Sequence, residues 1–584
     1  MNINEKEKPK VLLVMLPFND PQIPPLGLAN LKSFLKDRDY PVSTVDLNVE
    51  MEFRELFDDY FETVREKIPE DKRGNFYSMR LDIMQYQMLA YLNYRKRLET
   101  TRYEKLDSLT CHNPEEYRQL VKTLVHKTFF VDVDDQFVEK LDKILARFFQ
   151  LIEEYVLRLL RQEKPAVFGL SVCIAMLAPS LLAFKLCKEF FPHIKTVMGG
   201  GIYADDLATG SPNFPYLVGK IPYVDKLIVG EGELLFYKFL QEEFPPEKKV
   251  LTLDDINGEI VDLSKTTVPD FDDFHLDRYP YISANASVGC AFNCTFCTVP
   301  TQWGKYRKKD PAQVVREFTE LYRKYGTQLF LVVDSLLNPL MNRLAEEFIK
   351  SPVAIYWDGS LKVSDDVCNT DNTMLWRRGG FYRAHIGVET GSQRVLDLMD
   401  KRITVQQVKT AISALAHAGI KTTTFWVVGY PGETEEDFQQ TLDFVEEIKD
   451  DIYETTIRPY LHYLTRQERQ GSDDAGRESQ LLYPEEYTDK LMVRTWISKK
   501  YPSREETFQR LNRFNDHIRK LGIPNPYSWL EIDQADKRWK ALHENSVPPL
   551  VQFKNKDVYI DECKKAEKLF FLHQTFEDDG EFGF

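Results

Sequence analysis

What most constrains this chain is a short apolar run followed by a helix-spaced segment, repeated in two series. KVLLVML (10–16), PVSTVDLN (41–48), AVFGLSV (166–172), IKTVMGGG (194–201) and the start of VDKLIVGEGELLFYKFLQ (224–241) make the first series. Runs so short and so continuously apolar suit strands buried on both faces of a parallel sheet, with the segments between them as covering helices. Five such units predict a doubly wound α/β domain, whose ligand belongs beyond the carboxyl ends of the strands. The proline-rich loop PFNDPQIPPLG after the first strand is one place for it. Between the second and third strands, residues 50–162 read as an insertion of amphipathic helices. Its clearest runs are YSMRLDIMQYQMLAYLNYRKRLE and FVEKLDKILARFFQLIEEYVLRLLRQ.

A stretch at 246–285, rich in Asp and Pro and without periodicity, reads as a linker. The second series then begins, with QLFLVVD, VAIYWDGS, FYRAHIGVE, IKTTTFWVVG and IYETTIRPY as its strands. Repeated units of this length predict a full or partial (β/α) barrel with its chemistry at the C-terminal rim. Residues 465–584 have a polar, aromatic-rich, helical pattern. The expected divisions are therefore 1–245, 246–285, 286–464 and 465–584, and a chain of 584 residues accommodates about three domains. A net charge of −15 argues against a general nucleic-acid scaffold, which needs a basic face. No stretch approaches the ~20 apolar residues of a membrane span, and MNINEKEKPK before VLLVML does not read as a secretory leader. The expected setting is cytoplasmic, with reduced thiols.

Three of the eight cysteines crowd into CAFNCTFC, at Cys290, Cys294 and Cys297. The other five, Cys111, Cys173, Cys187, Cys368 and Cys563, are scattered and read as small buried hydrophobes. Thiols at x3 and x2 spacing can converge on one metal centre. A structural zinc would need a fourth protein ligand, and no second CxxC or HxxxH accompanies the cluster. An iron–sulfur cluster with one iron left open needs only three.

CAFNCTFC, with Phe296 before its last cysteine, resembles the CxxxCxxC signature of radical S-adenosylmethionine (SAM) enzymes. The resemblance implies a 4Fe–4S cluster on the three thiolates, whose open iron chelates SAM and whose electron releases a 5′-deoxyadenosyl radical. Later segments resemble the same family in the same order. LFLVVDSLLNP places Asp334 at a strand end. IGVETGSQRVLDLMDK places Glu389 and Ser392 where the family meets the methionyl and ribose groups of SAM. FWVVGYPGETEEDF places Trp426, Val427 and Gly429 near the nucleobase. Taken singly, each acid is equally a helix cap and the last segment a turn into an acidic helix start. His385, on the strand before Glu389, reads as a packed residue, and Arg458 as a partner for a carboxylate.

In the first domain, MGGGIYA fits G-x-G-x-x-A at Gly199, Gly201 and Ala204, a weak dinucleotide signal late in the domain. The series PPLGLANLKSFLKDRDYPVSTVDLN, GLSV, MGGG and VGEGE resembles instead the cobalamin-binding domains fused ahead of radical SAM barrels. That resemblance implies a Rossmann-like cobalamin site at Ser171, Val172, Gly200, Gly201, Glu231 and Gly232. It departs from the D-x-H-x-x-G motif, because PFNDPQIPPLG has no histidine to offer cobalt. The expected activity is methyl transfer to an unactivated carbon or phosphorus of a natural-product or peptide intermediate, with an external flavodoxin- or ferredoxin-type electron donor. The alternatives are a rearrangement, ring contraction or cyclisation without methyl transfer, and a non-catalytic cobalamin or cluster sensor.

Overall fold

The computed structural model describes residues 8–17, 23–95, 113–204, 206–279, 281–464, 478–525, 529–544 and 546–547. The chain forms two compact units, each assembled from separated stretches. The first comprises residues 1–275, 289–307 and 461–505; the second comprises 276–288, 308–460 and 506–584.

The first unit is built on a parallel sheet of six strands: β1 (Val11–Met15), β2 (Val42–Asp46), β3 (Val167–Ser171), β4 (Lys195–Gly199), β5 (Lys226–Val229) and β6 (Val250–Thr252). Their order is β2-β1-β3-β4-β5-β6. The order reverses at β1, so right-handed crossovers send helices to both faces. Strands β1, β3 and β5 are accordingly buried along their length and become half-exposed only at their last residues, Met15, Ser171 and Val229. The expected sheet had five strands. The sixth lies inside the stretch read as a linker, and its three residues are too few to show a pattern.

The insertion between β2 and β3 is helical, as Met51–Arg65, Arg73–Tyr94, Pro114–Phe129 and Asp135–Glu163. The longest starts on Asp134, whose side chain accepts from the Phe137 N–H, and it ends with Lys164 in the left-handed region. Leu141, Leu145, Phe148, Ile152, Val156 and Leu160 repeat at helical spacing on its buried face. In the same unit the hairpin of β15 (Ser479–Leu481) and β16 (Trp496–Ser498) shows that the region after 465 is not wholly helical. Residues beside it reach the insertion: Tyr86 bonds Thr495 at 2.7 Å and Asn93 bonds the Lys490 carbonyl at 2.9 Å.

The second unit holds another six-stranded parallel sheet. Its strands are β7 (Ile282–Ala284), β10 (Leu329–Val332), β11 (Tyr356–Leu361), β12 (Phe381–Glu389), β13 (Lys421–Val428) and β14 (Glu454–Pro459). The short strands β8 (Ser287–Val288) and β9 (Arg307–Lys308) flank the cysteine loop in sequence. Here the order, β14-β13-β12-β11-β10-β7, follows the chain without reversal. Right-handed crossovers that always step the same way put the crossover helices on one face, and on the other Asp358, Arg383, Lys421, Thr423 and Glu454 are buried, with Lys421 paired to Asp536 at 2.6 Å. Phe330, Trp357 and Trp426 point to the helical side, against Phe318, Phe348 and Phe444. On that second face Leu331, Ser360, His385, Gly387, Phe425, Val427 and Arg458 are half-buried or exposed. This is a partial barrel wall. Helices Arg504–Lys520 and Trp529–Leu542 complete the described C-terminal part. Among the described residues no helix is long and apolar enough to cross a membrane.

Candidate functional site

The three cysteines sit on a loop whose ends meet. Gly289 has φ +80°, and a Cβ there would stand 3.0 Å from the Lys305 carbonyl oxygen and 3.1 Å from that of Gly304. Only glycine lets the loop close so tightly. Within it the Cys297 N–H bonds the Cys294 carbonyl at 3.2 Å, and all three thiols are partly exposed. Phe292 is exposed, and Phe296 lies half-buried between the last two cysteines in sequence. Three soft thiol donors, accessible on one closed loop, fit an iron–sulfur cluster with an open iron. Among the described residues no three His, Cys, Asp or Glu side chains are gathered closely enough for a single metal ion. Cys173, Cys187 and Cys368 lie elsewhere, and burial pushes the Cys187 thiol up to about 12. Cys111 and Cys563 lie outside the described residues.

This loop packs on the carboxyl edge of the first sheet. The Gln302 amide nitrogen would lie 3.3 Å from a Cβ on Gly201, which follows β4. Arg307 pairs with Glu231, after β5, and donates to the Val261 carbonyl at 3.2 Å. At the same edge the Val172 N–H bonds Gly199 at 2.8 Å and its carbonyl accepts from Ile202 at 3.0 Å. Gly200 is threaded through that bridge with φ +104°; a Cβ would stand 2.5 Å from Val172 N and 2.6 Å from its oxygen. Ser171 is half-exposed beside it, and Gly232 opens helix Gly232–Leu240 with open space where a side chain would be. Residues 18–22 of the proline-rich loop lie outside the described residues. The Glu231 carboxylate is engaged by Arg307.

In the second unit, Asp334 is buried, and its carboxylate accepts from the Ala286 N–H at 3.0 Å and the Ser287 hydroxyl at 2.6 Å. Burial pushes its pKa up to about 7. These bonds brace the strand three residues before Cys290. Glu389 closes β12 in the left-handed region, φ +69°, just past an irregularity in the β12–β13 register, and forms a buried ion pair with Lys401. A Cβ on Gly387 would stand 2.9 Å from the Lys401 nitrogen, so the pair requires glycine there. A non-glycine residue held at positive φ is strained, which marks this strand end as a constructed feature.

Ser392 caps the helix Gln393–Leu398. Its hydroxyl donates to Asp437 at 2.6 Å and accepts from the Val395 N–H. The Trp426 indole packs against Phe444 and Phe514 and donates to Thr424 at 3.0 Å, on the helical side of the sheet. Val427 points the other way, opposite Arg458 in the register of β13 and β14. Gly429, φ +77°, turns the chain where a side chain would strike Thr507. Its N–H bonds Glu433 at 2.9 Å, and Arg510 reaches the same Glu433 oxygen at 2.8 Å. Burial pushes Glu433 up to about 7. Glu433 was legible as the acid of GYPGE, but a turn motif alone does not say that it braces Gly429.

Residues 285–445 match the family model described as the Radical SAM superfamily. The chain is 27% identical over 331 residues to the anaerobic magnesium-protoporphyrin IX monomethyl ester cyclase of Rubrivivax gelatinosus, covering 52% of this chain and 58% of the relative. It is 24% identical over 327 residues to an uncharacterized methyltransferase of Pyrococcus horikoshii, covering 52% and 69%. Among solved structures, the radical S-adenosylmethionine methyltransferase TsrM from Kitasatospora setae, with cobalamin and a 4Fe–4S cluster bound, superposes with a TM-score of 0.55 at 13% identity, over 92% of this chain and 99% of that one. The chain thus spans less than two thirds of the cyclase, and the likeness to TsrM is one of fold.

Proposed function

We propose that this chain, a member of the radical SAM superfamily, is a cobalamin-dependent enzyme that transfers a methyl group to an unactivated carbon or phosphorus of a natural-product or peptide intermediate. The observation that carries the reading is the seat of the cysteine loop: through Gln302 and Arg307 it packs on the carboxyl edge of a doubly wound sheet, where such sheets take their ligands. Relatives named as methyltransferases support it.

Cys290, Cys294 and Cys297 would hold the cluster, and the edge at Ser171, Val172, Gly200, Gly201 and Gly232 would hold the corrin by close backbone approach. When bound, the cluster and SAM supply a radical able to abstract hydrogen, and methylcobalamin supplies a methyl group. The chain supplies position. Asp334 braces the strand into the cysteine loop, Glu389 offers a buried carboxylate at the rim, and Glu433 with Arg510 fixes the turn at Gly429. Substrate and an external electron donor complete the proposed partners.

Likeness to the cyclase favours a second reading, cyclisation or rearrangement without methyl transfer. Turnover with SAM carrying a deuterated methyl group separates the two. A methylase yields labelled product, S-adenosylhomocysteine and 5′-deoxyadenosine. An unlabelled product with no S-adenosylhomocysteine leaves the cyclase reading standing.

A further inference from the structure

The cysteine loop carries a polar side chain that a cluster on its thiols would not use. Thr298 precedes and Gly304, φ +65°, ends a short helix, Val299–Trp303, with Pro300 in its first turn. Gln302 lies in that helix, its backbone N–H bonded to the Thr298 carbonyl at 3.1 Å. The loop is anchored around it: Gly289 closes on Gly304 and Lys305, and Arg307 pairs with Glu231. The Gln302 amide is thereby held beside Gly201, at the carboxyl edge of the first sheet. A Cβ on Gly201 would stand 3.3 Å from the amide nitrogen and crowd it, so glycine at 201 leaves the amide its place.

Among the described residues the Gln302 amide has no hydrogen-bond partner. Neither has the Ser171 hydroxyl, which lies 3.1 Å from where a Cβ on Gly200 would stand. Gln302 and Ser171 are half-exposed, and Gly200 and Gly201 are exposed, so both groups are open to a ligand. The charges beside them cancel, because Arg307 is engaged by Glu231. Two neutral hydrogen-bonding side chains and bare backbone suit a neutral ligand rimmed with donors and acceptors.

We infer that Gln302 is a cobalamin-binding residue carried by the cysteine loop, and that its amide pairs with a primary amide on the rim of the corrin. That rim bears acetamide and propionamide groups, and two amides side by side form two reciprocal hydrogen bonds. One loop then serves both cofactors, with its thiols on the cluster and Gln302 on the corrin. The inference rests on the cobalamin reading proposed above.

The test is equilibrium dialysis of the full-length, cluster-reconstituted protein against hydroxocobalamin, with iron content determined on the same samples. Gln302→Leu removes the amide and keeps the bulk of the side chain. It is expected to bind cobalamin about five- to tenfold more weakly, with its iron unchanged. Gln302→Glu, which keeps an acceptor, is expected to recover part of that loss. Equal affinity in the wild type and Gln302→Leu overturns the inference and leaves the cobalamin reading intact. So does a loss that Gln302→Glu shares in full, or one accompanied by lost iron, because the effect would then pass through the fold of the loop. A wild type that binds no cobalamin sinks the cobalamin reading and the inference with it.

Discussion

The two sheets of this chain have six parallel strands each and differ in one topological fact. The first reverses its strand order at β1, and the second never reverses. Reversal covers both faces with helices, so the first sheet opens only at the last residues of its strands, where Ser171 and Gly200 lie. Without reversal one face lacks crossover helices, and the second sheet opens there only toward the carboxyl ends of its strands, at His385, Phe425 and Arg458. The first sheet therefore offers backbone at an edge, whereas the second offers side chains along a wall. Glycines recur at the edge and polar or aromatic residues along the wall for that reason.

The largest effect expected is at the cysteine loop, which belongs to the first unit by packing and joins the second in sequence. Cys290→Ala, Cys294→Ala and Cys297→Ala should each abolish 5′-deoxyadenosine formation, read by chromatography after anaerobic reduction with SAM. Retained cleavage in any of them would remove the cluster from the account.

Next come the buried ion pairs at the rim of the second sheet. Lys401→Met strands the Glu389 carboxylate, and Arg510→Met strands that of Glu433. Each should cost about 3–5 kcal/mol in urea unfolding, the usual penalty for an uncompensated buried charge. A loss below about 1 kcal/mol would mean that the rim is not so constructed.

The helical insertion of the first unit offers a smaller, pH-dependent contrast. Asp142 accepts from Tyr117 at 2.5 Å, and burial raises its pKa to about 6. The folded state holds that proton more tightly than the unfolded chain, whose value is near 3.8. This stability is complete below about pH 4 and is lost as pH rises through about 6. The thermal midpoint of the wild type should fall between pH 5 and 7 relative to that of Asp142→Asn. Parallel profiles would place the carboxyl in water. Smallest of all, Cys173→Ala and Cys368→Ala should leave iron content and SAM cleavage unchanged.

Most of both sheets was legible because their strands are apolar runs of four to nine residues separated by helical spacing. The two strands that escaped, β6 and β7, have three residues each and no pattern to read. The cysteine loop was legible because thiols at fixed spacing need no tertiary context. Asp334, Ser392, Trp426 and Glu231 were harder. Sequence locates them at strand ends or on a strand, but it does not say that Ser287, Asp437, Phe514 and Arg307 already occupy them. Which face a side chain takes and what it bonds are decided by neighbours distant in sequence. The Asp358–His385 pair, 27 residues apart, was hidden for the same reason.

The central claim is that one chain carries two separable cofactor sites, one at the edge of the first sheet and one on the cysteine loop. Iron and cobalamin content, measured side by side on Gly200→Leu and Cys297→Ala after reconstitution, tests it most directly. Gly200→Leu puts a side chain against the Val172 backbone and should lose cobalamin while keeping about four irons per chain, the number a 4Fe–4S cluster holds. Cys297→Ala should lose the iron and still bind one cobalamin. If Gly200→Leu binds cobalamin as the wild type does, or if Cys297→Ala keeps its iron, the account is contradicted.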